Sequence, residues 1–367
     1  MDNKLKIFLC FIGIILFSYG SVEAQNSALS NAAQWLKSNQ NADYSWGDTT
    51  ALESTRCIDS SEVVKTLKFL DIKDVTYENA LSWLSSIISD NNYISANKLI
   101  SLSNSSVNFT QELNNILESQ NEDGGWGGTY GVQNTIIDTT FNLLALKVAN
   151  FTGQDIISSA LGFLISTQNP DGGWGFYPSA CSGCEADSSN VYMTAMVLDT
   201  LAQYKSTYNL QTPINNAVAY LQTKQNSDGG FGSSSSTVYE TSLAFLALVE
   251  SGALGTTSPT VVQNAITYLT STQLSNGSWN DDPYSTALAL RALANIKPNL
   301  SIFSTDLVFS NPTPKVGDTI SIAATIHNEG PVVANNILVQ FYDGDPSSGG
   351  VLIGETTIPI INASSSF

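Results

Sequence analysis

An eight-residue motif that returns at near-regular intervals constrains this chain more than any other feature. Gln120-Asn-Glu-Asp-Gly-Gly-Trp126-Gly127 recurs as Gln168-Asn-Pro-Asp-Gly-Gly-Trp174-Gly175 and as Gln225-Asn-Ser-Asp-Gly-Gly-Phe231-Gly232, and in reduced form from Gln273 to Trp279. The steps between the glutamines are 48, 57 and 48 residues. An earlier copy runs from Gln40 to Gly47, and a weaker one without its Trp passes through Asp90-Asn91-Asn92-Tyr93, giving six units. Repeats of this length bury their apolar faces by stacking on one another.

Two helices are expected in each unit. An amphipathic one precedes the motif, as in Ala217-Val-Ala-Tyr220-Leu221, with apolar residues three and four apart. The Asp-Gly-Gly turn stops it, because glycine accepts the left-handed backbone that a helix end requires. The helix after the motif, such as Val238 to Leu248 or Pro283 to Leu293, is small and apolar almost all round, which predicts a buried inner helix. Six such hairpins suggest a mostly α chain, an (α/α)6 toroid of inner helices wrapped by outer ones; an open solenoid is the alternative.

The Gln…Gly-x-Trp repeat resembles the QW motif of squalene and terpene cyclases, and its Gly-Gly-Phe/Trp-Gly form is similar to that of protein prenyltransferase β subunits, over about residues 27–297. The resemblance implies their toroid and leaves activity open, since the motif is structural. It also implies where chemistry would stand. The inner helices align on a hydroxyl column of Ser60, Ser95, Thr139, Thr194, Thr241 and Thr286. Protonating cyclases carry Asp-x-Asp-Asp directly before such a Thr, with the middle Asp as the acid. Here that place holds Ile58, Tyr93, Ile137, Tyr192, Tyr239 and Tyr284. Asp59 and Asp138 match only the last Asp of the motif, and Asp282 only the first. The prenyltransferase zinc set of Asp, Cys and His is unmatched too: the single His327 lies outside the repeats, and Glu240 stands where a ligand His would be. No metal or other cofactor is expected, and catalysis is left uncertain.

The position just before the hydroxyl column holds Asp59, Asp138 and Glu240 in units 1, 3 and 5. In a closed ring these acids would gather at one mouth, beside Tyr93, Tyr192, Tyr239 and Tyr284, as a site for a cation or a polyhydroxylated ligand such as a sugar. Alternatively, the acids occupy first helical turns because of the helix dipole, and the tyrosines pack between helices. The first expectation for function is a non-catalytic toroid binding a glycan or protein partner at the cell surface. The alternatives are a terpene cyclase- or prenyltransferase-like enzyme acting on an isoprenoid, and a toroid that binds or cleaves polysaccharide.

Lys4 and Lys6, the apolar run Ile7 to Phe17 and the small-x-small Val22-Glu23-Ala24 read as a signal peptide over residues 1–24. The run is too short to span a bilayer, which takes ~20 residues. The chain is therefore expected outside the cell or on its surface, with no later membrane span. A net charge of −18 argues against nucleic acid as a partner. In an oxidising setting Cys181-Ser-Gly-Cys184 is expected to close a local disulfide; a redox pair, or a zinc site with Cys57, is the alternative. The toroid is assigned residues 25–297. From 298 to 367 short alternating segments between turns predict an incomplete immunoglobulin-like β-sandwich. Its Pro314-x-x-Gly317-Asp318, Ile326-x-Asn328-x-Gly330 and Phe341-Tyr342-Asp343-Gly344 are similar to CARDB adhesion-related modules.

Overall fold

The computed structural model describes residues 14–18, 23–178, 187–253, 259–296, 298, 300–315, 317–330, 334–362 and 365–367. Two compact units divide the chain: residues 27–295, and residues 296–367 together with 1–26. In the larger unit, outer and inner helices alternate. The chain order is α1 (Glu23–Ser38), α2 (Glu53–Phe69), α3 (Val75–Ser86), α4 (Asn92–Leu102), α5 (Thr110–Glu118), α6 (Ile136–Val148), α7 (Gln154–Ser166), α8 (Val191–Tyr204), α9 (Gln211–Gln222), α10 (Val238–Glu250), α11 (Pro259–Ser271) and α12 (Pro283–Ala294). The even-numbered helices each pack on the next, and α12 packs back on α2. The unit is thus a closed α/α toroid rather than an open solenoid.

The repeat motif performs the same three tasks in successive hairpins. Its aromatic ring plugs the gap between outer and inner helix: Trp46, Trp126, Trp174, Phe231 and Trp279 are fully buried. Each indole N–H donates to a carbonyl near the end of the preceding outer helix, as Trp174 Nε1 does to Leu164 O at 2.8 Å and Trp279 Nε1 to Leu269 O at 2.7 Å. The hydroxyl column serves the aromatic residue's own backbone. Thr194 Oγ1 accepts from Trp174 N at 3.0 Å, and Ser60, Thr139, Thr241 and Thr286 do likewise in their units. A buried N–H without such a partner costs about 1–3 kcal/mol, which explains why Ser or Thr stands there.

The motif glutamine joins each hairpin to the next. Gln168 Nε2 donates to Gly172 O inside its own turn and to Pro213 O at the start of α9. Gln273 Nε2 donates to Gly277 O and, at 3.0 Å, to Ala28 O in α1, so the last unit is joined to the first. The glycine at this turn cannot be replaced without strain. Gly277 has φ +94°, and a Cβ there would stand 2.7 Å from the backbone oxygen of Asn31 in α1. Across the same seam Thr66 Oγ1 donates to Ala287 O at 2.9 Å.

The smaller unit is antiparallel throughout its described strands. These are β1 (Ile14–Ser18), β2 (Leu300–Ser301), β3 (Leu307–Phe309), β4 (Ile322–Ala324), β5 (His327–Asn328), β6 (Ala334–Asp343), β7 (Val351–Ile361) and β8 (Ser365–Ser366). They form sheets of order β1-β6-β7, β2-β5-β8 and β3-β4. Ile326, Ile337, Val339, Ile358 and Ile361 make its core. Part of the expected signal segment is here a strand, with Ile14 opposite Phe341. Cys181 and Cys184 lie outside the described residues, and so does the disulfide expected between them.

Candidate functional site

Equal repeat positions become equal heights in the ring, and the helical period decides which of them face its axis. Counted from the hydroxyl column, positions two before, two after and five after lie along one stripe of each inner helix. The upper part of that stripe lines a pocket of about 320 Å3. Tyr93, Tyr192, Tyr239 and Tyr284, each two residues before its hydroxyl, form its wall with Asp59 and Asp282.

The tyrosines face the axis and touch one another. The Tyr192 hydroxyl is close enough to those of Tyr93 and Tyr284 for each to bear on its acidity. Its ring lies 6.2 Å from that of Tyr239 and 6.0 Å from that of Phe176. Tyr93 meets the edge of Phe141 at 4.6 Å. Desolvation pushes the phenols of Tyr93 and Tyr284 well up, so they stay neutral donors.

The three column acids have different surroundings. Asp138 and Glu240 sit at the third position of their helices, each bonded to its own N-cap. Thr135 Oγ1 donates to Asp138 Oδ2 at 2.5 Å and accepts from Asp138 N; Thr237 Oγ1 donates to Glu240 Oε2 at 2.8 Å and accepts from Glu240 N. Both are buried, and desolvation raises both carboxyls against the opposing hydrogen bond. Neither borders the tyrosine pocket. Asp59 does. Its helix α2 begins at Glu53, a turn earlier relative to the column, so the N-cap-equivalent Arg56 lies inside the helix and pairs with Asp43. Asp59 therefore has no capping threonine. Desolvation, with the charge of Asp282 second, pushes its carboxyl up to about 7. Asp282 is the N-cap of α12, accepting from Ser285 N at 2.7 Å.

In the linear sequence Asp282 matches only the first Asp of a cyclase motif, and nothing there places it with Asp59. Ring closure is the signal that finds it, because α12 and α2 are neighbours. A second cluster escaped notice below the tyrosines: Glu62 pairs with Lys65 and, at 2.7 Å, with Arg291. Desolvation pushes the Glu62 carboxyl up, but Arg291 and Lys65 outweigh it and hold it below the usual range. Cys57 is buried with a free thiol pushed up to about 12 by desolvation, which makes it a poor metal ligand. Among the described residues, no three His, Cys, Asp or Glu side chains come together to hold a metal, and no helix is long and apolar enough to cross a membrane.

A closed ring of six helical hairpins, with an axial pocket and QW-type turns, defines an α/α toroid of the cyclase and prenyltransferase kind. The chain belongs to the prenyltransferase alpha-alpha toroid domain family, which matches residues 92–283. Two drimenyl diphosphate synthases are similar in sequence. That of Streptomyces showdoensis is 29% identical over 188 residues, and that of Streptantibioticus cattleyicolor 32% over 191. Each match covers 48% of this chain and 34% of the relative, so the chain matches about a third of the length of either. Among solved structures, the type II terpene cyclase MstE from Scytonema aligns with a TM-score of 0.57 at 15% identity, over 74% of this chain and 98% of that one. The GH76A alpha-1,6-mannanase from Salegentibacter sp. aligns at 0.55 and 8% identity, over 73% and 97%. These structural likenesses show the fold. The first expectation, a non-catalytic adhesion-type toroid, finds no support among these relatives.

Proposed function

We propose that the toroid is an acid-initiated enzyme of the terpenoid-cyclase type, in which Asp59 protonates a carbon–carbon double bond of a short isoprenoid held in the tyrosine-lined pocket. The pairing of Asp59 with Asp282 at that pocket carries the reading. It supplies an acid although the Asp-x-Asp-Asp of the cyclases is absent: the carboxyls come from adjacent inner helices rather than from one run of sequence. A carboxyl kept neutral near pH 7 by burial and a like charge is matched to proton donation. Its proton goes to one alkene carbon, the other carbon becomes cationic, and the tyrosine faces stabilise that charge as aromatic rings do a cation. A carboxylate or phenol oxygen on the wall accepts the proton lost when the cation collapses to an alkene. The volume is at the small end for a ligand pocket, which favours a short chain.

The test is incubation of the full chain with farnesol and with farnesyl diphosphate in D2O, with deuterium in the products read by mass spectrometry. Deuterated cyclic or isomerised product is expected, and Asp59→Asn should lower the rate about 10²–10⁴-fold, the usual worth of a general acid. Absence of product, or equal rates with and without Asp59, sinks the reading. An α-1,6-mannan arm tests the polysaccharide alternative.

We also infer export. The Lys4/Lys6, Ile7–Phe17 and Val22-Glu23-Ala24 pattern supports it. N-terminal sequencing of protein from an expressing culture should begin at Gln25; an intact Met1 terminus on secreted protein would count against cleavage.

A further inference from the structure

A second chamber of about 280 Å3 lies along the axis beyond the tyrosines, and Tyr284 borders both cavities. Its lining follows from the repeat. The residues five after the hydroxyl column are Lys65, Ile100, Leu144, Asp199, Leu246 and Arg291, and all six border it. Three are apolar, and three are charges that an inner helix would not carry for packing alone, because burying a charge is expensive.

The charges are unevenly satisfied. Lys65 and Arg291 both pair with Glu62 on the side of units 1 and 6. Asp199 of α8 has no such cation. Among the described residues its carboxylate is met only by the Gln203 amide, at 3.3 Å. Glu250, the last residue of α10, borders the same chamber. Its side chain is exposed and pairs with no cation among the described residues, while Lys205 Nζ, just past α8, donates to its backbone oxygen at 3.0 Å and partly offsets the negative charge at that helix end. The titratable side chains lining the chamber are thus Glu62, Lys65, Asp199, Glu250, Arg291 and Tyr284, two cations against three carboxylates. Desolvation and then Glu250 push the Asp199 carboxyl up, against Arg291 and Lys65, to about 6.

We infer that this chamber is a binding site for a small primary alkylammonium compound, its ammonium group between Asp199 and Glu250 and its alkyl part against Leu144, Leu246 and Ile100. An ammonium ion brings a positive charge to the Asp199 side of the chamber, where no lining cation forms an ion pair, and three donors for the open carboxylate oxygens. The apolar residues of the same column accept the chain. An anion would meet cations already committed to Glu62, and a neutral alcohol would leave the carboxylates uncompensated. The site is separate from the pocket of Asp59, so it stands whether or not the cyclase reading does.

The experiment is calorimetric titration of the full chain at pH 7.5 with n-pentylammonium, pentanoate and 1-pentanol as matched probes. Saturable binding of pentylammonium alone is expected. Asp199→Asn should weaken it at least tenfold, while Asp59→Asn leaves it unchanged. Binding to the unsubstituted chain should also weaken as pH falls from 7.5 to 5, as Asp199 takes up its proton; this series decides the matter if Asp199→Asn does not fold. Equal or tighter binding of pentanoate or pentanol, no binding of pentylammonium, or binding indifferent to both Asp199→Asn and pH would each overturn the proposal.

Discussion

A carboxyl that keeps its proton near neutral pH makes the fold more stable in mild acid. Asp59 is pushed up to about 7 and Asp199 to about 6, and Asp138 and Glu240 are raised as well. An unfolded Asp titrates near ~3.9, so between that value and 7 the folded chain binds more protons than the unfolded one. These carboxyls make stability rise as pH is lowered from 7 to 5, whereas Lys68, pushed down to about 8 by desolvation, opposes them nearer pH 8. The carboxyls held low by hydrogen bonds or cations despite any desolvation, such as Asp43, Asp74 and Glu62, titrate below that window and do not reverse the sign. Thermal melts should show the midpoint climbing over that range, with a smaller climb in Asp59→Asn; a falling midpoint would refute the placement of these groups. The shared repeat position of Asp59, Asp138 and Glu240 is legible in the sequence, and their unequal surroundings are not. Whether such an acid is tied to a capping threonine depends on where its helix starts, and in α2 that start lies a turn upstream.

The helical hairpin is the scale at which the motif makes sense. Trp174 fills the space between α7 and α8 and donates to Leu164 O, so Trp174→Ala should cost about 3–5 kcal/mol, as large-to-small core substitutions do. Thr194→Val keeps the shape but leaves the Trp174 N–H without its acceptor, and should cost about 1–3 kcal/mol. Denaturant unfolding of both variants checks the pair. A Thr194→Val chain as stable as the parent would mean that the hydroxyl column has another purpose. The helices, their inner and outer assignment and the aromatic plug are readable from apolar spacing and the Gly-Gly turn. The glutamine bridge is not, because its second acceptor stands on the next outer helix, tens of residues on, as Pro213 does for Gln168.

At the scale of the whole molecule the toroid has its own core, and its inner helices close on themselves. Residues 27–295 expressed alone should unfold in one cooperative transition with a midpoint within a few degrees of that of the toroid in the full chain. Broad, low-temperature melting of the isolated piece would contradict this independence. The axial cavities were only half legible. The tyrosine row was visible as a column, whereas the charged row further down looks in the linear sequence like ordinary polar interruptions of a helix. Only the closed ring brings Lys65, Asp199 and Arg291 to one height.

The seam between α12 and α2 makes the order of synthesis matter. Five hairpins emerging from a ribosome form an arc with two open ends, each presenting inner-helix surface meant for the sixth. Until α12 arrives, Gln273 has not reached Ala28, and Asp59 has no Asp282 beside it. Asp59 and Asp282 come together only once α12 has joined the ring, so a nascent or truncated toroid would be sticky and would lack the acid pair proposed for it.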